Sequence, residues 1–174
     1  MSESIHPRIL VACIGNIFLG DDGFGCEVAR ALAGTQLPAG VAVADFGIRG
    51  FDLASALLEP YEAVVLVDAI ERGSPPGTVY ILEPAAGPQS SGSGVAPDLH
   101  TMNPARVLAL ARSMGEITAG IYIVGCEPSD FGVELEGRMG LSKAVQSAVP
   151  RAAEVVLELI ARVSRQSMEL HSAA

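Results

Sequence analysis

The chain has 174 residues, enough for one domain whose core folds without disulfide or metal staples. Twenty acidic against eleven basic side chains leave a net charge of −9, which disfavours nucleic acid or an anionic membrane as partner and favours a cation. Three cysteines, Cys13, Cys26 and Cys126, with no CxxC spacing, exclude a disulfide framework and a cysteine-rich zinc site and suit a reducing, cytoplasmic setting. The N-terminus lacks a signal-peptide pattern, and no apolar run approaches the roughly 20 residues of a membrane span.

The run from Ile9 to Ile14 (ILVACI) is continuously apolar, as in a strand covered on both faces. The turn GNIFLGDDGFG follows, and then Phe24, Val28, Ala31 and Leu32 recur at helical spacing. Val41 to Ala44 predicts a second strand, FDLASALL a short helix, and Ala63 to Val67 a third strand with Asp68 at its carboxyl end. GTVYIL (77–82) predicts an edge strand entered through the Pro75-Pro76-Gly77 turn. Residues 84–99 carry no periodicity and are expected to be a linker or a lid. His100 comes next, then Asn103-Pro104 as cap and first-turn proline of a helix with Val107, Leu108, Ala111 and Met114 on its apolar face. GIYIVGC (120–126) is the last strand, 127–140 an irregular acidic loop, and Val145 to Val163 the apolar face of a final helix, with Pro150 either kinking it or starting its main part. Residues 165–174 are expected to fray.

This alternation predicts an α/β fold: a single doubly wound, mostly parallel sheet of about five strands with helices on both faces, spanning 1–174. Ligands in such folds bind beyond the carboxyl ends of the strands, which is where Asp21, Asp22, Asp68, Cys126 and Glu127 fall. The first turn fits neither GxGxxG nor GxxxxGK[ST], and two aspartates repel a phosphate. Either aspartate alone is explained as a helix cap, leaving the other to bind. Asp68 closes an apolar strand, and a buried carboxylate is costly unless it is hydrogen-bonded, paired or bound to a cation. His100 is the one histidine away from the termini. Two carboxylates and an imidazole from three loops suit a divalent transition metal with open positions. The rival centre is Cys126 as nucleophile with His100 as base, against which stands a plain buried thiol. Asp45, Arg49 and Asp52 are accounted for by loop shaping, a helix cap and surface charge.

Taken in order, IGNIFLGDDGFGCEVA, GIRGFDLASAL, VVLVDAI, LHTMNP and IVGCEP resemble the hydrogenase maturation endopeptidases over almost the whole chain. The resemblance implies a peptidase that removes the C-terminal extension of a nickel-iron hydrogenase large-subunit precursor after nickel insertion. It assigns metal recognition to Asp22, Asp68 and His100, with nickel carried by the substrate or another divalent ion bound at the site. Many family members have glutamate where this chain has Asp22, a difference of one methylene. A binding protein that recognises the loaded subunit without cutting it is the alternative, and turnover separates the two.

Overall fold

In the computed structural model, which describes residues 7–84, 103–131 and 137–172, the first apolar run is strand β1 (Ile9–Ile14), buried at every position. A 3-10 turn (Gly20–Gly23) and helix α1 (Phe24–Leu32) follow it. Next come β2 (Val41–Gly47), α2 (Gly50–Ala56), β3 (Ala63–Ala69) and β4 (Val79–Leu82). Helix α3 (Pro104–Met114), β5 (Gly120–Cys126) and α4 (Lys143–Ser172) complete the order.

The strands form one sheet in the order β2-β1-β3-β5-β4. Neighbours are parallel except β4, which pairs antiparallel with β5 and forms an edge. Alternation along β1 explains why its sequence is apolar throughout. Ile9, Val11 and Cys13 join the core shared with α1 and α4, while Leu10, Ala12 and Ile14 join the core shared with α2 and α3. The doubly wound, mostly parallel sheet with helices on both faces is therefore as expected. From β1 the chain steps to one side to make β2 and then to the other to make β3, so winding reverses between β1 and β3. That reversal opens a crevice at their carboxyl ends.

Several local expectations are corrected. Ala29, not Ala31, completes the buried face of α1, because a residue one turn from Leu32 faces the sheet more squarely than its immediate neighbour. Met114 is exposed at the end of α3. Strand β3 runs past the expected end at Val67 to Ala69, with Asp68 at its carboxyl end as expected. Helix α4 runs through Pro150 and continues to Ser172, so 165–172 is helical and not a frayed tail. The apolar positions up to Val163 supply the tertiary packing that carries the helix onward. Residues 85–102 and 132–136, which include His100, most of the expected lid and part of the acidic loop, lie outside the described residues.

Gly25 fixes how closely α1 approaches the sheet. A Cβ there would stand 2.1 Å from the Ile14 carbonyl oxygen and 2.6 Å from that of Val67, so the helix rests directly on the ends of β1 and β3. Gly25→Ala is expected to cost about 3 kcal/mol or more in urea unfolding, since backbone has to move. Gly34→Ala, where nothing lies within 4 Å of an added Cβ, should change stability by less than about 1 kcal/mol. Equal stabilities for the two variants would contradict this packing.

Candidate active site

The turn after β1 is built by Gly15 and Asn16. Gly15 has φ +151°, and a Cβ on it would fall 2.0 Å from the Asp22 carbonyl oxygen. Only glycine lets the turn close that tightly. The Asn16 side chain accepts the Phe18 N–H at 3.0 Å, and the Asn16 N–H donates to Asp22 Oδ2 at 2.9 Å. Together these contacts hold the Asp22 carboxylate over the crevice between β1 and β3.

Its neighbour Asp21 does different work. It is fully buried, and its carboxylate accepts the N–H groups of Ser129 (2.8 Å), Asp130 (3.1 Å) and Ser142 (2.6 Å) and the Ser142 hydroxyl (2.9 Å). Asp21 thus ties the first turn to the loop after β5 and to the entry of α4. Neither aspartate caps a helix with its side chain, which corrects the capping expectation. The four hydrogen bonds fill Asp21's acceptor positions and remove it as a ligand or base.

Asp68 is 1% exposed, and its Oδ1 accepts the N–H of Ala69 at 2.9 Å. Burial raises its pKa well above the ordinary carboxylate value; the nearby Asp22 charge raises it further, against a lowering by the Ala69 N–H. Burial also raises the Asp22 pKa, with the Asn16 N–H working the other way. The structure therefore brings Asp22 and Asp68 into electrostatic contact at the winding reversal. His100 lies outside the described residues, and among these no group of three potential ligands is assembled.

Cys126 is completely buried in the core under α1 and α4. Burial, followed by the charges of Asp21 and Glu127, pushes its thiol up to about 12, so at neutral pH it is a protonated core residue rather than a nucleophile. Glu127, 3% exposed, accepts the Arg72 N–H at 2.9 Å, the Gly73 N–H at 3.0 Å and the Tyr80 hydroxyl. Its burial favours protonation, but the Tyr80 and backbone donors together bring its pKa below the ordinary value. Glu127 thereby fixes the loop that leaves Asp68. Asp45 shapes the loop after β2 by accepting the Gly47 N–H at 2.9 Å. Arg49 and Asp52 form an exposed ion pair at 3.7 Å, a surface contact of little energetic weight. The scaffolding roles of Asp21 and Glu127 were not assigned from sequence, although both acids follow buried strands.

Besides Met168 on α4, the large apolar side chains Phe18, Ile48, Phe51 and Met139 are more than half exposed among the described residues. Phe18 follows β1, and Ile48 and Phe51 follow β2, so three of them stand at the carboxyl edge of the sheet. Met139 is brought there by its neighbour Arg138, whose N–H donates to the Phe18 carbonyl at 2.9 Å.

The family model described as hydrogenase maturation protease (HycI) matches residues 26–159, which include Asp68 and His100 and begin just after Asp22. The chain is similar to the hydrogenase expression/formation protein HupD of Rhodobacter capsulatus, with 36% identity over 87% of this chain and 71% of that one. It is similar to the hydrogenase 2 maturation protease of Escherichia coli, with 30% identity over 86% of this chain and 88% of that one. Among solved structures it resembles the hydrogenase maturating endopeptidase HybD from E. coli, with TM-score 0.72, 30% identity, and 89% and 93% of the two chains covered.

Two predictions follow from the buried acids. Asp21→Ala strands three backbone N–H donors and is expected to destabilise the fold by about 3 kcal/mol, measured by urea unfolding; a change below about 1 kcal/mol would contradict the tethering role. Asp68 has a folded pKa above its unfolded value, so its stabilising proton is retained at acid pH and lost as pH rises through the folded pKa. With divalent ions chelated, the stability of Asp68→Asn relative to the parent should therefore increase from pH 5 to pH 8. A difference independent of pH would contradict the raised pKa.

Proposed function

This chain belongs to the hydrogenase maturation proteases, and on that footing we propose that it cleaves the C-terminal extension from a nickel-iron hydrogenase large-subunit precursor once nickel is in place. The observation that carries this reading is the Asp22 and Asp68 pair, two carboxylates that burial holds toward their protonated forms, Asp68 additionally through the neighbouring Asp22 charge. A divalent cation brought into the crevice relieves both penalties, so the pair is poised to respond to the metal.

In this reading the nickel is cargo of the substrate and engages Asp22, Asp68 and His100. Chain order supports the third member: α3 leads into a strand parallel to β3, so its start at Asn103, three residues after His100 in the sequence, lies toward the carboxyl edge. Recognition then tests for metal loading and places the peptide bond beside the site. A shorter Asp22 in place of glutamate is accommodated if the metal sits nearer the first turn. The exposed Phe18, Ile48, Phe51 and Met139 around this edge suit a protein surface better than a small polar substrate.

Intact mass spectrometry of nickel-loaded and nickel-free precursors tests the reading. Loss of the extension is expected only from the loaded precursor, reduced at least about 100-fold by Asp22→Ala, Asp68→Ala or His100→Ala and retained in Cys126→Ala provided that variant stays folded. A tight metal-dependent complex with no shortened product would assign the chain to binding without proteolysis.

A further inference from the structure

Strand β4 has no strand on its outer side among the described residues. Its hydrogen-bonding phase follows from its neighbours. The Cys126 carbonyl accepts from Ile70, toward β3, while Glu127 turns toward β4: its N–H donates to the Thr78 carbonyl at 2.8 Å, and its carbonyl accepts the Gly77 N–H at 2.8 Å. The two-residue period then directs Gly125 to Tyr80 and Ile123 to Leu82. The N–H and C=O groups of Val79 and Ile81 consequently point outward from the sheet.

These two residues also line a groove of about 630 Å³, whose opposite wall is formed by Ala144, Ser147, Ala148 and Arg151 of α4. The small side chains on α4 leave room beside the strand. Edge strands are ordinarily protected by lysine, proline or a bulge; Val79-Tyr80-Ile81-Leu82 has no such residue, and Ile81 is 45% exposed. An extended peptide satisfies both features, since its backbone pairs with the outward groups and every second side chain faces the groove.

We propose that this edge and groove form a second subsite, which receives the part of the precursor downstream of the scissile bond as a strand added parallel to β4. The inference rests on the cleavage reading above. Asp68 and Tyr80 both register against Gly125 from opposite sides, so with strands about 4.8 Å apart an added strand lies about 14 Å from β3. Four or five extended residues at about 3.3 Å each cover that distance. The strand β4 begins at the carboxyl edge, where Val79 pairs with Cys126. A product tail leading away from the cleavage point therefore enters in the same direction as β4, with apolar residues favoured at alternate positions.

Ile81→Pro removes one outward N–H without removing a β4–β5 hydrogen bond, and Ser147→Trp fills the groove from an exposed position of α4. Thermal unfolding checks both folds, and Ser147→Trp decides if Ile81→Pro does not fold. With the nickel-loaded precursor bearing its full extension, both variants are expected to raise KM about tenfold or more while kcat stays within about twofold. With an extension trimmed to three residues, parent and variants should share one KM. Amide exchange at Val79 and Ile81 should be fast in the free protein and slowed in the complex.

Unchanged KM in folded variants overturns the subsite and leaves the cleavage reading intact. Unchanged KM accompanied by a parent dimer that Ser147→Trp dissociates assigns the groove to a second copy of the chain. Slow exchange already present in the free monomer means that this chain covers its own edge and likewise overturns the proposal. No cleavage by the parent overturns both readings.

Discussion

The seat of the first turn against the sheet is the constraint on which the site depends. A Cβ on Gly25 would meet the Ile14 carbonyl oxygen at 2.1 Å and one on Gly15 the Asp22 carbonyl oxygen at 2.0 Å, so the start of α1 sits directly on the ends of β1 and β3 and the turn before it closes tightly on its own backbone. One turn then carries two acids in opposite senses: Asp21 toward the loop after β5 and the start of α4, and Asp22 over the crevice. Were this approach looser, Asp22 would lose its electrostatic contact with Asp68, and the loop held by Asp21 would lose its anchor.

The four buried or half-buried acids of this edge divide by what satisfies them. Asp21 and Glu127 receive several N–H and O–H donors each, which offset the loss of hydration and turn them into staples. Among the described residues, Asp22 and Asp68 each accept one backbone N–H, from their own turn or strand end, and the charge of Asp22 acts on Asp68. Burial of two neighbouring carboxylates favours a shared proton or a cation between them. The same edge thus contains rigid carboxylates that hold its loops and responsive carboxylates that hold its chemistry.

Much of this was legible in the sequence because burial on two faces writes itself as uninterrupted apolar runs: β1 and β5 begin and end where ILVACI and GIYIVGC do, and Asn103-Pro104 marks the start of α3. Asp68 stood out as a charge in an apolar strand. What could not be read was the division of labour between Asp21 and Asp22, since it depends on Ser129, Asp130 and Ser142, more than 100 residues away. The burial of Glu127 is set in the same way by Arg72, Gly73 and Tyr80. The helical course of 165–172 escaped because its local sequence is polar, while the packing that supports the helix comes from its earlier turns. Local pattern reports local structure; long-range hydrogen bonds decide which of two adjacent identical side chains is free to react.

The most direct measurement is nickel X-ray absorption on a loaded precursor whose scissile bond has been made uncleavable, alone and in complex with the parent chain or with Asp68→Asn. The account predicts that complex formation adds oxygen or nitrogen scatterers to the nickel shell and that Asp68→Asn lowers their number. A nickel shell unchanged on binding the parent chain would contradict metal recognition by this site.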